Sequence, residues 1–284
     1  MASLITTARR AFHERLVQRL LVVDAAGVAS NADKDQRASR DIARSIADSL
    51  GATAGKRLDG QTAGDEFEKI TAEFLEATFP KLDHLRPGKW SIVGVRGRGG
   101  LPIAKFDQYR HLVALAVAAA TNPDLAISLG NDYAICPDIL VSRGLEGDER
   151  INAPGQIVDD LTATGAVIRE KNGGLPVLHA SVSCKWTMRS DRAQNARSEA
   201  LNLIRNRKGR TPHIAVVTGE PTPSRLSSLA LGTGDIDCVY HFALAELRDA
   251  VDSIHQSEAS ALLRIMIDGK RLKDIADLPL DLAV

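Results

Sequence analysis

The chain has 284 residues, enough to bury a large core in one domain or at most two. Its 36 basic and 36 acidic residues balance, so the overall composition gives no sign of nucleic-acid binding. Three cysteines (Cys136, Cys184 and Cys238) are too few and too scattered for a disulfide framework or a zinc site. No signal peptide or apolar stretch of membrane length is visible, which predicts a protein of the reduced cytoplasm.

The first third of the chain is predicted to be mainly helical. Residues 1–30 carry apolar side chains at helical spacing, which is typical of an amphipathic helix. Residues 31–44 are polar and charged, and they fit either a solvated loop with a helix start or an arm that contacts DNA. A long helix is predicted over 61–79, with an apolar stripe of Phe67, Ile70 and Phe74. Glu68 lies beside this stripe, where most glutamates are ordinary surface residues.

A carboxylate interrupts an apolar run in the middle of the chain. After a short strand at 90–93, a glycine-rich turn and a helix over 106–120, residues 133–141 are apolar and of strand length, with Asp138 in the middle. An unpaired carboxylate inside such a run is costly unless it meets a cation or several donors. Asp138 is therefore either a residue at a sheet edge or in a local turn after Pro137, or a ligand of a divalent metal.

A second apolar run, over 176–186, predicts a strand that ends at Lys185. A polar helix follows to about residue 207, and Arg189, Asp191 and Arg192 lie in its first turn. Glu199 is seven residues after Arg192, so both side chains fall on one face of this helix. A lysine, a carboxylate and paired arginines at one place suggest a site that handles phosphate, although a charge run is more often a solvated helix face.

The remaining elements are predicted to be strands over 213–218 and 236–242, and helices over 244–254 and 259–267. Arg225 lies in a loop that follows the first of these strands, at the edge of the sheet where the Asp138 site is expected. A surface arginine is the commoner interpretation. Residues 143–174 are long for a connection between paired strands and carry several apolar side chains, so we expect them to pack on the core or on another subunit.

The spacing of three residues resembles a known nuclease signature. Pro137-Asp138 is followed after 46 residues by Lys185 and after 13 more by Glu199. This resembles the PD-(D/E)xK pattern in a rearranged form, because Ser183 stands where the second acid usually lies and the following helix supplies an acid instead. The rearrangement, together with the text SVSCKWTMRSDRAQNAR, resembles the NgoMIV-type, CCGG-core subgroup of type II restriction endonucleases over most of the chain.

This resemblance implies an α/β fold with a central mixed sheet flanked by helices, built as a single domain over residues 1–284. It implies catalytic roles for Asp138, Lys185 and Glu199, with Glu68 as a further acid. One or two Mg²⁺ ions would be held by Asp138, Glu199 and the carbonyl group of Cys184. The implied reaction is cleavage of double-stranded DNA to 5′-phosphate ends.

The resemblance also implies how the target sequence is recognised. Arginine recognises guanine and aspartate accepts a hydrogen bond from cytosine, so Arg189, Asp191 and Arg192 suit a CCGG core. Arg225 would add the outer base pair, giving GCCGGC, and Gln61 matches a residue that contacts DNA. A palindrome requires a two-fold symmetric reader, hence at least a dimer.

The resemblance further predicts a tetramer, a dimer of dimers, formed through residues 143–174 in the bacterial cytoplasm. Two alternatives stay open on the sequence. A PD-(D/E)xK repair or recombination endonuclease would keep the acids and the lysine but would not need Arg189, Asp191 and Arg192. A DNA-binding protein without catalytic activity would keep the basic helix but would not need acids at 138 and 199.

Overall fold

The computed structural model describes residues 2–95, 101–130, 135–188, 190–254 and 257–284, without the side chains of 190–192. Its centre is a six-stranded sheet whose strands lie side by side in chain order. The strands are β1 (Trp90–Gly94), β2 (Ile139–Arg143), β3 (Val177–Lys185), β4 (His213–Thr218), β5 (Cys238–His241) and β6 (Leu272–Asp274).

The sheet is mixed. Strands β1, β2 and β3 pair antiparallel, whereas β3, β4, β5 and β6 pair parallel. The middle strands are buried almost throughout, which explains why β3 and β4 show continuous apolar runs rather than alternation. The predicted α/β class with a mixed central sheet flanked by helices is confirmed.

Eleven helices occur in the described part of the chain: α1 (Leu4–Arg19), α2 (Arg37–Ser49), α3 (Gly60–Thr78), α4 (Leu112–Thr121), α5 (Pro123–Leu129), α6 (Asp148–Ile151), α7 (Ser190–Asn206), α8 (Pro223–Ala230), α9 (Leu244–Ser253), α10 (Ser257–Asp268) and α11 (Leu278–Asp281). Asp59 caps the start of α3, because its side chain accepts hydrogen bonds from two backbone N–H groups. None of the helices in these ranges is long and apolar enough to cross a membrane.

The prediction of one helix over 1–30 is wrong beyond Arg19. After that residue the backbone turns, and Val23 forms isolated bridges to Ala29 and Ala54. The polar segment 31–44 is a loop followed by the start of α2. In α2 the apolar side chains of Ile42 and Ile46 are buried. This helix therefore packs on the protein through one face despite its charged composition.

Asp138 does not lie in the middle of a strand, as its apolar surroundings predict, but immediately before β2. Pro137 precedes it and has no N–H group to donate to a strand ladder. The carbonyl group of Asp138 still accepts a hydrogen bond from Val95 (2.9 Å). The side chain of Asp138 therefore lies at the edge of the sheet, where it can meet other chain segments.

Other boundaries also differ from the sequence prediction. The helix expected over 106–120 starts later, and two short 3-10 turns precede α4. Gln108 in the second turn explains this, because its side chain exchanges two hydrogen bonds with the backbone of Leu178 in β3. The loop predicted at 219–226 leads into α8, which includes Arg225. Strand β6 and the short α11 have no counterpart in the prediction.

The buried apolar residues form one continuous cluster. Helix α3 packs on α1 and on strands β1 and β3. Its Phe67 ring meets the ring of Trp186, just after β3, with centroids 5.1 Å apart. This contact places one face of α3 beside the carboxyl end of β3.

Candidate active site

Strand direction brings Asp138 and Lys185 together. Because β2 runs antiparallel to β3, the residue that precedes β2 lies beside the end of β3. Asp138 Oδ2 accepts hydrogen bonds from the backbone N–H of Cys184 (2.6 Å), Lys185 Nζ (2.9 Å) and Ser183 Oγ (3.3 Å). The carboxylate that the sequence leaves without a partner is therefore held by an ammonium group and two further donors.

The Lys185 side chain is largely buried, yet its ammonium group stays charged. Burial alone lowers the pKa of Lys185, but the nearby Asp138 carboxylate and its hydrogen bond raise it, and Glu199 raises it further. The net pKa of Lys185 lies above its ordinary value. At neutral pH this side chain is therefore a fixed cation and a hydrogen-bond donor at the sheet edge.

Glu68 reaches the same place from helix α3. It follows Phe67, whose contact with Trp186 fixes this part of α3 against the end of β3. Burial raises the pKa of Glu68 to about 7, and the negative charge of Asp138 raises it as well, while Lys185 acts in the opposite direction. The effect of Asp138 and Lys185 on Glu68 shows that the three side chains share one electrostatic environment.

Glu199 comes from α7, about two and a half turns after the start of that helix. Burial raises the pKa of Glu199 to about 8, with a further contribution from Asp138, while Lys185 lowers it. Glu68 also contributes to the upward shift. Three acids from three different elements thus repel one another around a single lysine.

Cys184 contributes its backbone to this arrangement. Its N–H group points toward Asp138, whereas the carbonyl group of the next residue, Lys185, accepts from Gly219 on the β4 side. Since the N–H and C=O of one strand residue point to the same side, the Cys184 carbonyl group faces the side on which Asp138 lies. The thiol itself is buried, and burial raises the pKa of Cys184 well above its ordinary value.

A cleft of about 700 Å³ adjoins these residues. Glu68, Asp138 and Gln61 all line it, and its other charged residues are Asp65, Glu66, Lys69, Glu73 and Glu76. Gln61 lies on the α3 face that carries Glu68, seven residues away, and donates to Asp65 (2.9 Å). The cleft is strongly acidic, so an anionic ligand can approach Asp138 and Glu68 only if a cation offsets their negative charge.

Arg225 lies in the first turn of α8 and is held by three groups. It pairs with Asp33, donates to the carbonyl group of Met188 (3.0 Å) and lies 3.8 Å from a Glu220 carboxylate oxygen. Asp33, which is 192 positions away in the chain, was not predicted as part of the site. Glu220 was likewise not predicted. Met188 directly precedes Arg189 in the chain, so Arg225 contacts the last described residue before that position.

The predicted DNA-reading residues are only partly placed. Arg189 lies outside the described residues. The backbone of Asp191 and Arg192 lies in the first turn of α7, but their side chains are outside the described part of the structure. The backbone shows that α7 starts shortly after the end of β3, as the sequence predicts.

Comparison with known proteins identifies the family. The model of the NgoMIV restriction enzyme family matches residues 12–284. The chain belongs to this family. The type II restriction enzyme NgoMIV of Neisseria gonorrhoeae is 57% identical to it over 286 residues, covering 100% of both chains. The family predicted from the spacing of Asp138, Lys185 and Glu199 is confirmed.

Among solved structures, a complex of the restriction endonuclease PspGI with its substrate DNA is 13% identical to this NgoMIV-family protein. The alignment covers 98% of this chain and 90% of that one, with a TM-score of 0.26. A likeness this weak supports no argument about the site.

The acids of this NgoMIV-family protein fit a hard divalent cation. In the part of the chain that the structure describes, no three His, Cys, Asp or Glu side chains are gathered closely enough to enclose a metal. Mg²⁺, however, keeps several waters and binds through one or two carboxylates together with substrate phosphates. Two repelling carboxylates and a carbonyl oxygen form a suitable donor set, and Asp138, Glu199 and Cys184 could supply it. A bound cation would also relieve the repulsion that raises the pKa values of Glu68 and Glu199.

These pKa shifts predict how the stability of the metal-free NgoMIV-family protein depends on pH. The unfolded chain ionises Glu199 near pH 4.5, whereas the folded protein keeps the proton until about pH 8. The folded state thus binds more protons between these values, so Glu199 lowers the free energy of unfolding as pH rises. We expect Glu199→Gln to gain stability over the wild type, with a margin that grows from pH 5 to pH 8.

Urea unfolding in the presence of a chelator measures this margin. The wild-type curve also contains opposing contributions from buried histidines, because burial lowers the pKa of His13 and of His241. The histidine contributions cancel when the free energy of unfolding of the wild type is subtracted from that of the variant at each pH. The matched control is Glu258→Gln on the exposed face of α10. A stability difference for Glu199→Gln that is constant with pH would contradict the electrostatic origin of the shift.

Proposed function

We propose that this protein is a Mg²⁺-dependent type II restriction endonuclease that cleaves double-stranded DNA at a palindrome with a CCGG core, GCCGGC, leaving 5′-phosphate ends. The observation that carries the proposal is the meeting of Asp138, Lys185, Glu68 and Glu199 at one sheet edge in a member of the NgoMIV family. The proposed setting is the bacterial cytoplasm, and the proposed catalytic unit is one domain over residues 1–284.

Asp138 and Glu199, with the Cys184 carbonyl oxygen, would hold one or two Mg²⁺ ions, and Glu68 would act as a further acid. When bound, Mg²⁺ supplies positive charge for the phosphate oxygens and lowers the pKa of a coordinated water. The protein contributes the fixed positions of these oxygens, because Asp138 is anchored by the backbone of Cys184.

Lys185 has a separate role in the proposed mechanism. Its ammonium group stays protonated beside Asp138, so it donates a hydrogen bond to the scissile phosphate and orients the attacking water rather than removing its proton. Hydrolysis breaks the bond between phosphorus and the 3′ oxygen, which leaves with a proton as a hydroxyl group. The attacking water oxygen stays on the 5′-phosphate.

Target recognition is assigned to two neighbouring segments. Arg189, Asp191 and Arg192 would read the CCGG core, and Arg225 would read the outer base pair. The support for Arg225 is its contact with the backbone of Met188, next to the first of these residues. Each bidentate contact of this kind contributes roughly 1–3 kcal/mol of discrimination. Gln61, on the wall of the cleft, is assigned a contact to DNA outside the core.

Digestion of a plasmid of known sequence in the presence of Mg²⁺, followed by sequencing of the cut ends, tests the proposal. We expect cuts only within GCCGGC, with 5′-phosphates at the ends. Cleavage without sequence restriction would support a repair or recombination endonuclease instead. Binding without any product, with or without Mg²⁺, would support a DNA-binding protein that has no catalytic activity.

A homotetramer is the proposed assembly, with residues 143–174 in one of its interfaces. Arg169 is fully buried in this loop and donates to both carboxylate oxygens of Asp148 (2.6 Å each) and to the carbonyl groups of Thr162 and Asp159. These contacts hold the loop in a defined conformation. It nevertheless leaves apolar side chains exposed, with Leu161 87% exposed and Ile157 and Val167 exposed beside it in the chain. Apolar side chains fixed in this way are typical of a protein interface.

A dimer of dimers needs a second, different two-fold interface. The pair α4 and α5 offers a surface for it, because Val113, Val117 and Ile127 are exposed there. Residues 112–123 contain no charged side chain. Asp124 is the one charged residue of α5, so the surface carries little charge. Such a surface can meet its own copy across a two-fold axis with little like-charge repulsion, which favours a second copy of this chain as the partner.

Light scattering coupled to gel filtration distinguishes these two surfaces. We expect Leu161→Asp to convert the tetramer into dimers, because it buries a charge in one interface while the other is intact. Val117→Asp should disrupt the second interface. Ile265→Asp, an equally exposed apolar position on α10, is the control that should stay tetrameric. A wild-type protein that is only dimeric would count against the role of the loop.

A further inference from the structure

Glu220 is a buried carboxylate that the proposed mechanism does not use. It lies two residues beyond β4, and only 1% of its surface is exposed. An ionisable group is costly in such a place unless several donors surround it. The contacts of Glu220 should therefore show what it contributes.

The two oxygens of Glu220 bind different segments. Oε1 accepts from the backbone N–H of Thr222 (3.0 Å) and from its hydroxyl group, at the start of α8. Oε2 accepts from the backbone N–H of Met188 (3.0 Å), which lies in another loop, 32 residues earlier in the chain. A carboxylate needed only to cap its own turn would have no reason to reach the segment after β3.

The carbonyl group of Met188 is held as well. Arg225 Nη1 donates to it (3.0 Å), and the same nitrogen lies 3.8 Å from Glu220 Oε2. Glu220, Met188 and Arg225 thus form a closed ring of contacts. The ring fixes both backbone groups of the residue directly before Arg189, and it also fixes the direction of the Arg225 guanidinium group.

The backbone around Glu220 is itself fixed. The Glu220 N–H donates to Thr218 Oγ1 (3.1 Å), and its carbonyl group is 3.2 Å from His241 Nε2. The preceding Gly219 lies against Trp186, so closely that a side-chain Cβ at position 219 would be 2.6 Å from Trp186 Cε3. The Gly219 carbonyl group accepts from Asn31 (2.8 Å). Glu220 thus holds Met188 from a rigid base.

We infer that Glu220 is a positioning residue for sequence recognition: its carboxylate holds the backbone of Met188, the residue directly before Arg189, and the side chain of Arg225 in one fixed arrangement. The inference rests on the proposed function, in which Arg189, which follows Met188 in the chain, reads an inner base pair and Arg225 reads the outer one. Recognition by rigid hydrogen-bond geometry fails when the donors move relative to each other, so loss of Glu220 should reduce selectivity more than it reduces the chemistry of cleavage.

The test compares three duplexes: one with GCCGGC, one with a changed inner pair and one with a changed outer pair. The quantity measured is kcat/KM on each, at a temperature where every variant is folded. We expect Glu220→Gln to lower the ratio of target to altered sites by about tenfold or more, the effect of one lost base contact. The loss should appear on GCCGGC, with the slow cleavage of the altered duplexes little changed.

The matched control is Glu246→Gln, which removes a carboxylate that is mostly buried and pairs with Arg9. It should lower stability in urea unfolding but leave the selectivity ratio at the wild-type value. Glu220→Asp is the second variant in case Glu220→Gln does not fold. It keeps the charge, but its shorter side chain cannot reach Thr222 and Met188 together, so it too should lose selectivity.

The outcomes separate the inference from the proposed function. If the wild type cuts GCCGGC selectively and both Glu220 variants keep its selectivity ratio, Glu220 is only a structural residue and the inference is overturned. If the wild type itself shows no preference for GCCGGC, the proposed function fails before the role of Glu220 is tested.

Discussion

Replacing Lys185 with alanine should reduce DNA cleavage by about 10³-fold, as loss of a preorganised donor to a developing charge does. Its ammonium group is the one cation that the described structure places against Asp138, and it balances Glu68 and Glu199 as well. The substitution leaves the proposed base-reading residues Arg189, Asp191, Arg192 and Arg225 unchanged, so site-specific DNA binding should persist. Single-turnover cleavage and gel-shift binding to the same GCCGGC duplex measure the two effects.

The control for Lys185→Ala is Lys81→Ala. Lys81 is exposed in the short 3-10 turn where Phe79 stacks on His179, near the opposite end of β3. It should change neither cleavage nor binding. Cleavage by Lys185→Ala at close to the wild-type rate would remove this residue from the mechanism, whereas loss of both cleavage and binding would point to a folding defect.

Replacing Glu199 with glutamine should have an effect of similar size on cleavage. Glutamine keeps the volume of the side chain but is a weaker ligand for Mg²⁺ without the negative charge. If the transition state loses about 4 kcal/mol of charge stabilisation, the rate of cleavage falls about 10³-fold. The same variant should be more stable than the wild type in the absence of metal, because one of three repelling acids is gone. Cleavage rates across a Mg²⁺ titration and urea unfolding measure both effects.

This combination of a slower reaction and a more stable protein separates a functional acid from a structural one. Glu258→Gln, on the surface of α10, should alter neither quantity. A Glu199→Gln protein that cleaves normally would show that the acid of α7 is not a metal ligand. Of the four proposed catalytic residues, only Asp138 and Glu68 would then remain as acids that could bind the metal.

Local patterns in the sequence predicted a substantial part of the fold. The apolar runs of β3 and β4, the stripe of α3 and the polar helix α7 all follow from periodicity and propensity. The spacing from Asp138 to Lys185 to Glu199 led to the family. It did not reveal that Asp138 lies before its strand, because the apolar residues on both sides conceal the effect of Pro137 on strand pairing.

Interactions between distant segments could not be predicted in this way. Asp33 meets Arg225 across 192 positions, and no local pattern indicates that these two residues pair. Glu220 is an acid in a loop, where most acids are solvated, and only the packing around Gly219 shows that it is buried. The polar composition of α2 also concealed that its apolar face is covered by the protein. Such features depend on tertiary packing, which single-sequence patterns do not record.

Only Trp186, Thr187 and Met188 separate Lys185 from Arg189, a tether of at most about 14 Å between the two Cα atoms. The Trp186 ring is enclosed by Phe67 and Phe242, and the Met188 backbone is pinned at both polar groups. Under the proposed function, an imperfect DNA sequence that displaces Arg189 also displaces Lys185, because the link between the two residues is short and stiff. Fidelity can then be enforced twice, once when DNA is bound and again when its backbone is broken, by one short piece of polypeptide.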